Sequence, residues 1–150
     1  MKQRLMLITA SALLICYASR VAAQTPADLE VIDLSQQEIR IFNQTKKLNA
    51  HLANRLMIDS LFLPHEKFWT NYVGGEKDFL KWVRESVYPN LKEMNRVNNR
   101  INREAMLTRI SKNSPQTKVY VVLGPGCTDT GKFTDGTGVI DLMHKSSLTD

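Results

Sequence analysis

The segment of this sequence closest to a known chemical motif is a glycine-rich stretch that follows an apolar run. Residues 126–132, Gly-Cys-Thr-Asp-Thr-Gly-Lys, have the spacing of a phosphate-binding loop and come shortly after the apolar run at 119–123. Such a loop needs a Mg²⁺-binding hydroxyl at the next position and a helix that begins there. Position 133 is Phe, and turn residues and a second β-like run at 138–142 follow it. The segment therefore predicts a β-hairpin, with a nucleotide-binding loop as the weaker alternative.

The histidines do not show the spacing of a metal site. A helical zinc-protease motif needs two histidines four positions apart, with a glutamate beside the first as general base. His65-Glu66 begins this motif, but Trp69 stands where the second ligand should be. His51 and His144 have no histidine four positions away either. Convergence of the three histidines in space stays open as an alternative.

Nucleophilic chemistry has one candidate residue and no motif. The sequence contains no Gly-x-Ser-x-Gly elbow, and its acidic residues are dispersed. Cys127 is interpreted as a small, partly buried loop residue, with a reactive thiol as the alternative. A reactive thiol needs a neighbouring base or cation to lower its pKa, such as Lys132 if the loop folds back. We assign no catalytic, cofactor-binding or metal-binding residue, and whether the chain is an enzyme stays open.

The first residues have the pattern of an export signal. Lys2 and Arg4 precede an apolar stretch over residues 5–18, and Val21-Ala22-Ala23 supplies small residues at a cleavage site. The apolar stretch is shorter than the roughly 20 residues of a membrane-spanning helix. We therefore predict a signal peptide over residues 1–23 and a periplasmic or secreted protein without a membrane span after cleavage. Lipid attachment at Cys16 is the less favoured alternative, because Leu13-Leu14-Ile15 lacks the usual small residue before the cysteine.

Composition limits the remaining classes. Residues 24–150 suffice for one domain, and Cys127 is the only cysteine among them, so an intrachain disulfide is not expected. The formal charge of +5 falls to +2 when Lys2, Arg4 and Arg20 leave with the signal, since no acid leaves with them. This weakens the case for a nucleic-acid partner, which favours a concentrated basic face. We expect no nucleic acid as partner and identify no other partner.

Helical periodicity dominates the middle of the chain. Ser35-Gln36-Gln37-Glu38 has the pattern of a capping box that begins a first helix, which Pro64 ends. A second helix is predicted from Glu76, with a stop or a reset at Pro89. A third runs to about Ile110. The apolar stripes predicted to face the core are Ile41, Leu48, Leu52 and Leu56 in the first helix, Phe79, Leu80, Val83 and Val87 in the second, and Leu91, Met94, Val97, Ile101 and Ala105 in the third.

These elements define the expected architecture. Residues 24–34 are predicted to be a flexible lead-in, and residues 35–150 a single α+β domain, truncated under one hypothesis below. The domain would contain about three amphipathic helices followed by the β-hairpin. Because a two-stranded ribbon is marginally stable alone, it must pack on the helices or pair with more strands.

Several of these segments resemble a known family. The order of Phe68-Trp69-x-x-Tyr72, Tyr88-Pro89-Asn90-Leu91, a long amphipathic helix, Val119-Tyr120-Val121-Val122 and Thr134-Asp135-Gly136 with Gly138-Val139-Ile140 is similar to that of a zincin-like family of exported zinc-dependent proteases, known mainly as a domain of unknown function. The resemblance covers about residues 35–145. It implies that the hairpin belongs to a sheet beside the active site, and that a catalytic His-Glu-x-x-His helix follows it.

That helix is not present in this sequence, so no metal ligand or catalytic residue is carried over from the family. Zinc is expected only in a full-length relative. Two functional hypotheses follow. The chain is the pre-catalytic half of a zincin-like metallopeptidase, inactive by itself, or it is an exported, non-enzymatic binding or structural domain.

Overall fold

The computed structural model describes residues 29–114, 117–127 and 133–144. These residues form a mixed structure, in which helices pack against a three-stranded sheet. The predicted α+β class is therefore confirmed. The predicted signal peptide, residues 1–23, and Cys16 within it lie outside the described residues.

The helices of the described residues form four continuous segments, separated by short breaks. Two segments contain a π-helical turn, which accommodates one extra residue within a helix. In chain order the helical elements are α1 (Ser35–Thr45), α2 (Ala50–Met57), the π-helical turn Ile58–Phe62, the 3-10 turn Leu63–His65, α3 (Glu66–Tyr72), α4 (Glu76–Trp82), the π-helical turn Val83–Val87, α5 (Tyr88–Arg100) and α6 (Arg103–Asn113).

The sheet is parallel, and this overturns the predicted hairpin. Its strands, in the spatial order β1-β2-β3, are β1 (Glu30–Asp33), β2 (Lys118–Val122) and β3 (Gly138–Asp141). Both neighbours of β2 run in the same direction as β2, whereas a hairpin joins antiparallel strands. A strand buried on both faces of a parallel sheet reads as a continuous apolar run, and residues 119–123 have this pattern. The turn-type residues between β2 and β3 masked this signal.

The predicted flexible lead-in over residues 24–34 is wrong for its last part. Residues 30–33 form β1, and the amide of Leu34 continues the pairing by donating to the Val121 carbonyl at 2.9 Å. Residues 24–28 lie outside the described residues. The strand escaped the sequence analysis because four residues with two acids among them give little periodic signal.

The first predicted helix is two helices. The chain breaks between Thr45 and Ala50, where the Asn49 side chain accepts a hydrogen bond from the Leu52 amide at 3.0 Å and so caps α2. The break rotates the following turns relative to α1. As a result, Leu48 and Leu52 are exposed instead of lying on the predicted core stripe.

The second and third predicted helices also have different bounds. The helix that begins at Glu76 continues through the turn Val83–Val87 into α5, so Pro89 lies near the start of a new helix and does not end the segment. The predicted third helix is interrupted between Arg100 and Arg103. Beyond this break Ala105 is exposed, contrary to its predicted place on the core face.

One hydrophobic core joins the sheet to the helices. Its centre is aromatic: Trp69 is fully buried, with its ring centroid 5.1 Å from that of Phe79. Phe68 stacks on Tyr120 of the central strand, with 4.0 Å between centroids. These contacts attach α3 to both the sheet and α4. In the described part of the chain, every helix is too short or too polar to cross a lipid bilayer.

The break at Asn49 leads to a test within a single helix. Leu52 in α2 is 49% exposed, whereas Met57 at the end of α2 is 1% exposed. We expect Leu52→Ala to change the free energy of unfolding by less than about 0.5 kcal/mol and Met57→Ala to lower it by about 2 to 5 kcal/mol. Urea denaturation of the two variants measures both values. Equal losses would indicate that Leu52 lies on a core stripe, as the sequence periodicity suggests.

Candidate functional site

The polar groups of the site lie at the carboxyl edge of the sheet, which is the edge where its strands end. Because all three strands are parallel, they end at the same edge, and ligand sites of open α/β sheets lie outside this edge. The chain leaves β2 through Leu123 and Gly124, and it leaves β3 directly after Asp141. Residues distant in sequence therefore meet here.

The Asp141 carboxylate connects these strand ends. One of its oxygens, Oδ1, accepts hydrogen bonds from the amides of Gly124 at 2.9 Å and Met143 at 2.8 Å. The other, Oδ2, accepts one from the Tyr72 hydroxyl at 2.9 Å. Burial raises the pKa of Asp141, while these three donors oppose the rise. A single side chain thus joins the ends of β2 and β3 to α3.

Gly124 leaves the space that this arrangement needs. A Cβ atom at position 124 would lie 2.0 Å from the Tyr72 hydroxyl oxygen and 2.7 Å from Asp141 Oδ2. Both distances are shorter than any real contact of a Cβ atom, so a side chain at this position must displace the hydrogen-bonded pair. The backbone of Gly124 can approach the carboxylate because the residue has no side chain.

Glu38 provides a second buried carboxyl group at the same edge. Its Oε2 accepts a hydrogen bond from the Leu123 amide at 2.8 Å, and its Oε1 has no hydrogen-bond partner. Burial raises the pKa of Glu38 well above its ordinary value, against the opposing effect of the Leu123 amide. The nearby Asp141 and Asp33 raise it further. Glu38 is therefore favoured in its neutral form.

The predicted capping box that included Glu38 is wrong. Its glutamate accepts from the Leu123 amide just after β2 and not from the start of α1, and no side chain caps α1 from the residue before it. Asp33 instead accepts from both the amide and the hydroxyl of Ser35, at 3.0 and 2.6 Å. The spacing of Ser35 and Glu38 matched a capping box, but the tertiary contact with the strand end determined the role of the glutamate.

A cavity of about 330 Å³ opens beside these strand ends. We call it the strand-end cavity. It is lined by the loop after β2, the turn after β3 and the start of α5. Its lining residues are Asn90, Gly124, Pro125, Gly126, Cys127, Met143 and His144. Its volume is near the lower end of the range of about 300 to 1,000 Å³ found for small-molecule sites.

Two hydrogen bonds and the backbone conformation of one glycine define the loop that forms one wall of the cavity. The Trp82 indole nitrogen donates a hydrogen bond to the Pro125 carbonyl at 3.0 Å. The amide of Cys127 donates to the Gly124 carbonyl at 3.0 Å, which closes a turn. Gly126 takes a φ of +79°, a conformation that side chains rarely adopt. The cavity wall is thus built from backbone in a defined conformation.

Two residues from the sequence analysis meet at this cavity. Cys127 is a half-buried thiol, and His144 follows β3 by three residues. The Tyr72 hydroxyl, bound to Asp141, also interacts with the Cys127 side chain. Burial raises the pKa of Tyr72 above its ordinary value of 10.0, so Tyr72 keeps its proton. Lys132, the cation considered for Cys127, lies outside the described residues.

The other sequence candidates lie elsewhere. His51 is exposed on α2, and His65 packs edge-on against Tyr120 with 5.6 Å between ring centroids. Burial, followed by the charge of Lys118, lowers the pKa of His65. Across residues 29–114, 117–127 and 133–144, no three His, Cys, Asp or Glu side chains are arranged to hold a metal ion. The histidines therefore do not converge.

The described residues after the glycine-rich stretch do not form the helix that a phosphate-binding loop requires. Only Gly126 and Cys127 of the glycine-rich stretch fall within the described residues. After Phe133 the chain forms a turn, in which the Gly136 amide donates to the Phe133 carbonyl at 2.9 Å, and then enters β3. A phosphate-binding loop would be followed by a helix at this point.

Comparison with known proteins adds no relative: neither a family model, nor a curated protein, nor a solved structure matches this chain. The site is therefore described by its geometry alone.

Sequence reasoning missed three residues of the site: Tyr72, Asp141 and Glu38. Tyr72 was noted only within the segment Phe68-Trp69-x-x-Tyr72, and its hydroxyl contact with Asp141 spans 69 positions. Asp141 carried a signal that could have been used, because an acid at the end of an apolar strand often marks the functional edge of a parallel sheet. The signal has this meaning only once the strands are known to be parallel.

The space at Gly124 gives a prediction with a matched control. We expect Gly124→Ala to lower the free energy of unfolding by about 2 to 3 kcal/mol, because it breaks the partly buried hydrogen bond between Tyr72 and Asp141. Gly75→Ala should change it by less than about 1 kcal/mol, since no heavy atom lies within 4 Å of the added Cβ. Urea denaturation provides both values.

A double-mutant cycle tests the cause of that loss. If the methyl group of Gly124→Ala clashes with the Tyr72 hydroxyl, the substitution should destabilise a Tyr72→Phe background less than the wild type, by about 1 kcal/mol. Additive effects would show that the hydroxyl is not the group displaced.

The raised pKa of Glu38 predicts how stability depends on pH. The unfolded chain releases the proton of Glu38 near its ordinary pKa of 4.5, while the folded protein keeps it to higher pH. The stabilisation by neutral Glu38 is therefore complete below pH 4.5 and is lost as the pH rises through the pKa of the folded state. In this window the free energy of unfolding should fall by up to about 1.4 kcal/mol per pH unit.

The variant Glu38→Gln cannot titrate and should show a flatter pH profile than the wild type. Denaturation of both proteins from pH 4 upward checks this, and the contribution of a group that is not coupled to Glu38, such as His65, cancels in the difference between them. Parallel profiles for the two proteins would contradict a raised pKa at Glu38.

Proposed function

We propose that this chain is an exported, non-enzymatic binding domain that holds a small polar molecule in the strand-end cavity. The observation that carries the proposal is the cavity at the carboxyl edge of the parallel sheet. Ligand sites favour this edge because loops there can vary without disturbing the strands. The export part of the proposal rests on the sequence pattern of residues 1–23.

The cavity walls fit a small polar ligand. Asn90, His144 and Cys127 line it with an amide, an imidazole and a thiol, all of which form hydrogen bonds. Met143 and Pro125 supply apolar contact beside them. A few polar groups within a partly apolar wall are typical of sites that fix the orientation of a bound molecule.

The supporting structure favours a preformed site. The Gly124 amide is fixed by the Asp141 carboxylate, and the Pro125 carbonyl is fixed by Trp82. A site whose walls are held by such contacts loses little conformational entropy when a ligand binds. This supports binding without a large rearrangement of the chain.

The metallopeptidase-related hypothesis stays a second proposal, based on the sequence resemblance alone. The parallel pairing of β2 and β3 differs from the hairpin that the resemblance implies. Sequencing the gene in all three frames past codon 150 tests it. A His-Glu-x-x-His motif shortly downstream would support the hypothesis, and a confirmed stop codon without such a motif would contradict it.

Binding can be tested with a panel of free L-amino acids, mononucleotides and monosaccharides, each added singly to the ¹⁵N-labelled chain. We expect at least one compound to shift the amide resonances of Gly124, Gly126, Cys127 and Met143. In Asn90→Trp, where the indole occupies the cavity, the affinity should fall about tenfold or more, equivalent to about 1.4 kcal/mol.

The control is Asn99→Trp, an exposed position of the same helix α5 that does not line the cavity. Its affinity should stay within about twofold of the wild type. Shifts outside the cavity, or equal losses in the two tryptophan variants, would contradict binding at the carboxyl edge. A panel in which no compound shifts these resonances would contradict the proposal for all three ligand classes.

A further inference from the structure

One exposed face of the chain, along α2 and the turns that follow it, carries large apolar side chains. We call this face the α2 ridge, and its residues are Leu48, Leu52, Arg55, Asp59 and Leu63, all of them exposed. They are spaced four, three, four and four positions apart, which is the spacing of one helix face. Among the residues that the structure describes, four large hydrophobic side chains are exposed, and three of these are the leucines of the ridge.

The leucines of the ridge have the pattern of a helix that packs against another element. Leu48, Leu52 and Leu63 are 37%, 49% and 51% exposed. A single exposed leucine is common on protein surfaces, but apolar side chains repeated along one helix face are typical of a contact surface. Leu48 and Leu52 follow the periodicity of a core stripe and yet face solvent. The ridge is therefore suited to a contact with a second molecule.

The charged residues along the ridge show which molecule fits. The exposed basic residues of its first half are Lys46, Lys47 and Arg55, and the exposed acidic residues of its second half are Asp59 and Glu66. Lys67, which is also exposed at the acidic end, is paired with Asp135 at 2.8 Å. The ridge thus changes from basic to acidic along the chain, and the same surface turned end to end has the complementary charges.

We propose that the α2 ridge is the contact surface between two copies of this chain, whose ridges pack antiparallel about a two-fold axis. An interface of this symmetry needs a patch that is complementary to itself. An axis midway between Arg55 and Asp59 brings Arg55 of each copy opposite Asp59 of the other. Leu52 of each copy then lies within about one residue of the level of Leu63 of the other, so that apolar surface covers apolar surface.

The length of the ridge indicates a weak dimer. The helical residues from Ala50 to His65 extend over about 24 Å at 1.5 Å per residue. One pair of helices of this length buries less surface than the roughly 1,600 Å² of a standard stable interface. We therefore expect a Kd of about 100 µM. The ridge shares no residue with the lining of the strand-end cavity, so this proposal and the proposed binding function can fail separately.

Sedimentation velocity of the full chain, at concentrations from about 10 to 500 µM, measures the association. Arg55→Glu and Asp59→Arg should each raise the Kd about tenfold or more, because each substitution places like charges opposite each other at two symmetric contacts. Both side chains are exposed, and circular dichroism checks that the variants fold. A wild type that stays monomeric at the highest concentration, or a Kd that neither substitution changes, would overturn the proposal.

An equimolar mixture of these two variants tests the antiparallel arrangement itself. In the mixed dimer each contact again joins opposite charges, so the two variants should bind each other about as tightly as two wild-type chains do. The double variant with both substitutions should dimerise with itself for the same reason. Native mass spectrometry resolves the mixed dimer by its mass. A mixture without mixed dimers would overturn the antiparallel pairing.

A pair of leucine variants provides the matched control. Leu52→Gln should raise the Kd about tenfold, whereas Leu107→Gln, at an exposed leucine of α6 outside the ridge, should change it less than about twofold. Equal effects of the two variants would indicate non-specific apolar association and would overturn the ridge as the interface. Association that withstands every ridge variant would assign the contact to another segment, such as the apolar stretch at 5–18, and would overturn the proposal as well.

Discussion

The structure depends on how two consecutive backbone amides are satisfied where β2 ends. The amide of Leu123 is accepted by Glu38 of α1, and the amide of Gly124 by Asp141 of β3. Both amides are buried, and an unsatisfied buried amide is unfavourable by about 1 to 3 kcal/mol. The two carboxyl groups thus end the central strand and attach it to a helix on one hand and to a neighbouring strand on the other.

Placing these two carboxyl groups in the interior is electrostatically unfavourable, and the surrounding residues compensate for it unequally. Burial raises the preference of both carboxyl groups for the neutral form, and the nearby Asp141 raises that of Glu38 further. Asp141 is compensated by three donors, among them the hydroxyl of Tyr72. Glu38 receives a single one. The aromatic core around Trp69 and Phe68 holds α3 against the sheet and thereby places Tyr72 where it can donate.

The sequence carried the local patterns of this fold better than its long-range contacts. The apolar run at 119–123 and the periodicity from Glu76 both correspond to real elements. Strand direction could not be read, because a continuous apolar run and turn-type residues suit either a hairpin or a parallel pair. Glu38 matched a capping box within its own helix, and only the position of Leu123 in space, 85 residues away, reveals its other role. For the site, Cys127 and His144 were noted singly, since nothing in their spacing indicated a shared cavity.

The π-helical turn Val83–Val87 makes the orientation of the cavity wall sensitive to chain length. Successive residues of an α-helix are rotated by about 100°, and a π-helical turn accommodates one residue beyond the regular count. Loss of one residue from this turn would restore a regular helix and rotate α5 by roughly that angle. Asn90 would then leave the cavity and Leu91 the core. Among natural variants of this chain, single-residue insertions and deletions should therefore be tolerated in surface turns and selected against between Val83 and Val87.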